Sequence, residues 1–156
     1  MGKEIERKFL VADLGVLDAA EGTYFKQGYV RTADKTTVRV RVAGEKGFLT
    51  LKGPTSGFSR AEFEYEVPKQ EALEMLEAFC QEPMIEKTRF RIPHEGLIWE
   101  VDRFVGKNEG LVVAEVELES EIQEISLPAW IGEEVTGEVR YYNSRLAETP
   151  FQEWNS

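Results

Sequence analysis

Acids and bases in this chain recur at every second position, and they are sorted by segment. Glu4, Glu6 and Lys8 alternate with Ile5, Arg7, Phe9 and Val11. Residues two apart in a strand share a face, so this segment has one charged face and one mostly apolar face. The pattern returns as Gln27, Tyr29 and Arg31; Arg39 and Arg41; Thr50 and Lys52; Arg60, Glu62, Glu64 and Glu66; Lys87, Arg89 and Arg91; Glu100 and Asp102; and Glu115, Glu117 and Glu119. Clustered carboxylates suit a hard divalent cation such as Mg2+ or Mn2+. Clustered Arg and Lys suit phosphate oxygens. A metal-complexed polyphosphate is one ligand class that satisfies both sets at once.

The elements that must position these faces read as eight strands: Glu4–Val11, Tyr24–Arg31, Thr37–Val42, Phe48–Lys52, Arg60–Val67, Ile85–Ile92, Leu97–Phe104 and Val112–Glu119. Turn compositions such as Gly44-Glu45-Lys46-Gly47 and Pro93-His94-Glu95-Gly96 join them, and such short connections favour antiparallel neighbours. One helix is predicted over residues 69–82, between Pro68 and Pro83. Leu73, Leu76 and Cys80 form its apolar stripe, with Met75 and Phe79 beside them. Short helical turns are expected at Asp13–Ala19, Leu127–Ile131 and Asn143–Glu148, the last with Asn143 as its N-cap. No repeat or linker divides the 156 residues, so a single domain over 1–156 is expected.

Apolar and charged alternation fits a half-buried sheet whose polar face is solvated. Two features favour another arrangement. Ordinary surfaces intersperse the signs, whereas several of these segments carry only acids or only bases. Nearly every strand shows the pattern, and a sheet of about eight antiparallel strands tends to close on itself to remove its edges. The expected fold is α+β and mainly β: a closed eight-stranded antiparallel barrel with a charged lumen and a few flanking helices. Ions in such a lumen lose water, and only pairing or a ligand compensates.

The net charge of −10 argues against a nucleic-acid duplex and against an anionic membrane surface as partners. The single cysteine, Cys80, excludes an internal disulfide framework and any multi-cysteine metal site. No apolar run approaches the length of a membrane span, and the first residues are charged rather than signal-like. A cytoplasmic protein is the expectation. The oligomeric state is left open, a homodimer through the apolar outer surface or the helices included.

Glu4-Ile5-Glu6-Arg7-Lys8 resembles the ExExK signature of the CYTH superfamily, the triphosphate tunnel metalloenzymes. The resemblance continues through Gln27-Gly28-Tyr29, Arg39-Val40-Arg41, Leu51-Lys52, Arg60-Ala61-Glu62-Phe63-Glu64, Lys87-Thr88-Arg89, Glu100-Val101-Asp102, Ala114-Glu115-Val116-Glu117, Val135-Thr136-Gly137 and Tyr142-Asn143-Ser144. It is most similar to the small bacterial tripolyphosphatase-like members. The resemblance implies an eight-stranded tunnel and metal-dependent hydrolysis of tripolyphosphate or a nucleoside triphosphate. It implies metal ligation by Glu4, Glu6, Asp102, Glu115 and Glu117, with Glu62 and Glu64 as supporting or second-metal ligands. It implies phosphate binding by Lys8, Arg39, Arg41, Lys52, Lys87 and Arg89, with Arg60 and Arg91 as further candidates. Tyr29 is either a lumen hydrogen-bonder or, beside Lys87, a group that orients or deprotonates water. Adenylyl cyclase and thiamine triphosphatase activities are alternatives within the family, and a non-catalytic polyphosphate-binding module is an alternative outside catalysis.

The remaining chemistry-bearing residues read as structural. Cys80 belongs to the core, His94 to a turn, and Trp99 and Trp130 to packing outside the barrel. Arg7 should face outward, and Glu66 and Glu119 should sit at the mouth.

Overall fold

Eight strands close into a ring because β1 pairs along both of its edges. The computed structural model describes residues 3–57 and 59–154. Its strands are β1 (Lys3–Val11), β2 (Gly22–Val30), β3 (Thr37–Ala43), β4 (Lys46–Lys52), β5 (Ser59–Val67), β6 (Ile85–His94), β7 (Leu97–Phe104), β8 (Val112–Glu117) and β9 (Ile131–Glu134). Neighbours run in the order β5-β4-β3-β2-β6-β7-β8-β1, and β1 returns to β5. Every pairing is antiparallel. Glu6–Leu10 of β1 pairs with β8. The opposite edge is shared: Lys3–Ile5 pairs with β5, and beyond it Phe9 and Val11 pair with β9. The β6–β7 hairpin turns on Glu95 and Gly96, both at positive φ (46° and 83°), the two-residue turn whose twist matches antiparallel strands.

The outward faces of β1, β7 and β8 carry Ile5, Phe9, Trp99, Val101, Ala114 and Val116, all buried beneath Leu17, Trp130 and Ile131. Trp99 meets Phe9 and Trp130 edge-to-face at 5.5 and 5.9 Å, so both tryptophans pack outside the barrel as expected. Burying each such side chain contributes about 1.5–3 kcal/mol. On the other side α1 (Lys69–Phe79) lays Ala72 and Leu76 on Val40 and Val42 of β3. Arg7 points outward and pairs with Glu134 at 2.7 Å. A third cluster lies at inward positions. Ile85, Phe104 and Val113 pack with Val135, Tyr141 and Leu146, so the C-terminal segment fills one end of the bore with apolar side chains.

Three local expectations are corrected. Leu127–Ile131 is not helical. The chain makes a single turn there, closed by the Ile131 N–H donating to the Pro128 carbonyl at 3.2 Å, and Ile131 opens β9, because the edge of β1 beyond β5 offers an open hydrogen-bond ladder. Asn143 is not an N-cap. It is the first residue of α2 (Asn143–Glu148), with Tyr142 before it and no side-chain cap, and its own amide turns into the bore. The long helix also ends earlier than predicted, at Phe79, because Cys80 bridges to Val30 as strand.

Helix α1 approaches β2 closely at Gly28. A Cβ built there would lie 2.6 Å from Met84 Sδ and 2.8 Å from Cys80 Cβ. Gly28→Ala is therefore expected to destabilise the fold by about 1–3 kcal/mol through overpacking. The check is a urea midpoint that falls at unchanged m value.

Candidate active site

Ring order turns the segment-by-segment sorting of charge into two arcs. β7, β8, β1 and β5 are consecutive around the barrel. They bring Glu100, Glu115, Glu117, Glu4, Glu6, Glu62 and Glu64 to one side of the bore. β4, β3, β2 and β6 form the other side and bring Lys52, Arg39, Arg41, Tyr29, Lys87 and Arg89. Lys8 and Arg60 stand among the acids. These side chains line a cavity of about 260 Å³. Through Tyr29, Thr37, Arg60 and Tyr142 it adjoins a wider cavity of about 1010 Å³. Of the residues expected at the site, all line the smaller cavity except two: Asp102, which is 3% exposed and lies behind Arg89 and Lys87, and Arg91, which is exposed and pairs with Glu100 at 2.9 Å.

Asp102 anchors the basic arc. Arg89 grips it in a fork, Nε to Oδ1 at 2.7 Å and an NH2 nitrogen to Oδ2 at 2.8 Å, and Lys87 Nζ lies 2.7 Å from Oδ2. Burial by itself would raise the Asp102 carboxyl, but Arg89 and then Lys87 reverse this and hold it at about 2. Burial drives Lys87 the other way, well below the ordinary lysine range, helped by the Arg89 and Arg41 charges. Lys52 bridges Glu4 at 3.0 Å and Glu62 at 3.5 Å, and Arg39 reaches Glu64 at 3.2 Å. Lys8 sits 3.5 Å from Glu115 and 5.3 Å from the centre of the Tyr142 ring.

Two groups are left in deficit. Arg41 is buried and has no carboxylate partner among the described residues. Its Nε donates to Gln27 Oε1 at 2.8 Å, and its guanidinium lies over Phe25. Burial, with Arg39 and Arg89 nearby, pushes it down from the usual arginine range. On the acidic arc Glu6 stands opposite Glu117, and Glu100 opposite Glu115. Like charges facing each other across a ladder repel. Burial first, then Glu115 and Glu4, raise the Glu6 carboxyl well above the ordinary range. Burial and the Glu4, Glu62 and Glu100 charges raise Glu117.

These deficits bear on a metal. Among the described residues no three acids already form a metal-sized cage. The donor chemistry nevertheless fits a hard divalent cation. The acids are all carboxylates, they face one cavity, and two of them are crowded by like charges, Glu6 by Glu115 and Glu4 and Glu117 by Glu4, Glu62 and Glu100.

Sequence reasoning missed Gln27 and Asn143 as parts of the site. Gln27 is fully buried, and Asn143 lines the cavity. Gln27 stood on the charged face of its strand, which was the available signal; Asn143 was masked by its suitability as a cap. Lys87 and Tyr29 share the cavity, but no hydrogen bond joins them directly. Gln27 and Asn143 connect them instead.

A closed antiparallel barrel built around a charged bore, with an apolar outer face covered by loops and one helix, is the class of protein these features define. Residues 2–147 match the CYTH domain, and the chain belongs to that family. It is 50% identical to the inorganic triphosphatase of Acetivibrio thermocellus, over 97% of each chain. It is 40% identical to the inorganic triphosphatase of Nitrosomonas europaea, over 92% of this chain and 96% of the other. A crystal structure of an inorganic triphosphatase superposes with a TM-score of 0.66 at 36% identity, covering 92% of this chain and 93% of that one. The expected eight-stranded closed barrel is thereby found, with β9 added on the free edge of β1.

Proposed function

We propose that this chain hydrolyses inorganic tripolyphosphate to phosphate and pyrophosphate with the help of a divalent cation. The observation that carries the reading is the division of one cavity into an acidic and a basic arc, each with groups that lack a counter-charge. The inorganic triphosphatases to which the chain is 50% and 40% identical support the same substrate. The cavity is smaller than the roughly 300–1,000 Å³ that encloses a drug-sized ligand, which suits a compact polyanion. The wider adjoining cavity has room for the rest of a nucleoside triphosphate, a second substrate in this reading.

Glu4, Glu6, Glu115 and Glu117 would hold the cation, with Glu62 and Glu64 in support. When bound, Mg2+ or Mn2+ supplies charge neutralisation at phosphate oxygens and a more acidic water. Arg41, Arg39, Arg89, Lys52 and Lys8 would bind the equatorial and bridging phosphate oxygens. Asp102 keeps the Arg89 fork in plane. Lys87, deeply buried, is held by Asp102 and Asn143 in the wall of the same space. Tyr29 orients the attacking water at the end nearest the wider cavity. Phosphoryl transfer to water needs placement and neutralised charge more than covalent chemistry, and the bore provides both.

The test is incubation with tripolyphosphate, ATP and thiamine triphosphate, each with Mg2+, Mn2+ or EDTA, followed by measurement of phosphate, pyrophosphate and cyclic AMP. Phosphate from tripolyphosphate with metal, and none with EDTA, is the expected result. Cyclic AMP from ATP without phosphate release would replace the reading with a cyclase. Retained binding of tripolyphosphate without product would replace it with a binding module.

A further inference from the structure

Gln27 occupies a position whose hydrogen-bond polarity is fixed by its neighbours. It is 0% exposed and does not line the cavity, so it cannot touch a substrate there. Its Oε1 accepts from Arg41 Nε at 2.8 Å. A guanidinium has only donors, so the amide oxygen must face it and the amide nitrogen must face the other way. That nitrogen lies 2.9 Å from the Tyr29 hydroxyl and 3.3 Å from Asn143 Oδ1. Asn143 Oδ1 also accepts from Lys87 Nζ at 2.8 Å. Each bond in this chain therefore has a fixed polarity, with Asn143 Oδ1 accepting from both sides. Arg41 donates to Gln27; Gln27 donates to Tyr29 and Asn143; Lys87 donates to Asn143.

We propose that Gln27 is a positioning residue for the hydrolytic reaction, which makes the Tyr29 hydroxyl an acceptor on its inner side and leaves its proton directed into the bore. The inference rests on the hydrolase reading above. Since Gln27 donates to the phenol oxygen, Tyr29 cannot turn its O–H inward to satisfy Gln27. The hydroxyl proton is left for a phosphate oxygen or a water in the cavity that Tyr29 lines. The same amide ties Tyr29 to Lys87 through Asn143, so the two side chains take their places together although no hydrogen bond joins them directly. Arg41 fixes the amide's orientation from behind, so its occupancy by a phosphate oxygen and the aim of Tyr29 are linked.

The discriminating substitution is Gln27→Glu. A carboxylate still accepts from Arg41, more strongly than an amide does, so a purely structural role for Gln27 predicts retained turnover. It cannot donate to Tyr29, and it draws the phenol proton away from the bore. Tripolyphosphate hydrolysis with Mg2+ is measured for wild type, Gln27→Glu, Gln27→Met, Tyr29→Phe and the Tyr29→Phe/Gln27→Glu double variant, with kcat and KM separated. We expect Gln27→Glu to lower kcat on the order of 100-fold, the scale of a misplaced proton-handling group. In the Tyr29→Phe background the same change should add less than about threefold, because the two residues act as one unit. Gln27→Met removes the donor without adding charge and should lower kcat similarly, which covers the case in which the glutamate variant does not fold.

Three results overturn the inference: a kcat within about fivefold of wild type for the folded Gln27 variants, a full additional loss in the Tyr29→Phe background, or wild-type turnover in Tyr29→Phe itself. Each of these leaves the hydrolase reading standing. Absence of phosphate release by the wild type removes that reading instead.

Discussion

Glu6→Gln is expected to lower tripolyphosphate turnover by about 10³-fold, the upper range for removal of one preorganised electrostatic group, while making the metal-free protein more stable. The two effects share a cause. Glu6 faces Glu117 across the ladder, and its carboxyl is raised by burial and by the Glu115 and Glu4 charges. A carboxyl raised in the folded state favours the fold most in its neutral form. Its contribution is complete below the ordinary carboxylate range and is lost as pH rises through the raised value. Asp102 and Glu115 are depressed, so their contributions work the other way: they are complete above the ordinary range and fail only towards acid. Between about pH 5 and 8 the raised carboxyls lower stability as pH rises, while Lys87, depressed by burial, works in the opposite sense, so the Glu6 part is read as the difference between wild type and variant. Glutamine imitates the neutral carboxyl at every pH. In EDTA, raising the pH from 5 to 8 should lower the melting temperature of the wild type relative to that of Glu6→Gln. Added Mg2+ should raise the melting temperature of the wild type at pH 8 by mass action and scarcely move the variant. A variant that melts below wild type in EDTA at pH 8, or keeps the full Mg2+ shift, would show that Glu6 is part of the framework and not held for a cation.

That storage of repulsion was only partly legible in the sequence. Alternation in Glu4–Lys8 and in Glu115–Glu119 announced strands with a charged face, because a period of two leaves no other reading for so many consecutive pairs. Sorting of acids and bases by strand announced that the face was not ordinary surface. Strand order was not written in any one segment. In sequence, the acidic strands β1, β5, β7 and β8 are scattered among the basic ones. Only closure of β1 onto both β8 and β5 gathers them into one arc, and only the pairing of β2 with β6 gathers the bases. Those are long-range choices made by the outer apolar faces, with Phe9, Trp99 and Val116 packed together, and no local pattern encodes them. Asn143 failed for a related reason. Its residue type and place before a helix satisfy a local rule for capping, but Lys87, 56 positions away, claims the side chain. Asp102 was legible as an inward acid and not as the residue beneath two cations, since depth in a bore depends on which neighbours are long.

Arg89 and Arg41 line the same bore from β6 and β3, the two strands that flank β2, yet their loss should have opposite consequences. Arg89→Met strips Asp102 of its fork and leaves a buried carboxylate with Lys87 alone, whose own charge is already weakened by burial. Breaking a buried pair from one side costs about 3–5 kcal/mol, which for a domain of this size lowers the melting temperature on the order of 10 °C. Removing the stranded charge as well, in Arg89→Met/Asp102→Asn, should recover a large part of the loss. Arg41→Met breaks no ion pair. It relieves repulsion from Arg39 and Arg89, while it leaves Gln27 Oε1 without its donor, a cost of about 1–3 kcal/mol. These nearly offset, so the melting temperature should stay within a few degrees. Affinity should not: a buried charge-assisted hydrogen bond to phosphate contributes about 1.5–3 kcal/mol, so KM for tripolyphosphate should rise about 10- to 100-fold. Thermal melts of the four proteins, read beside their KM values, separate the cases. Equal destabilisation by the two methionines would mean that Arg41 has a structural counter-charge after all, and that the bore keeps no cation in reserve for its substrate.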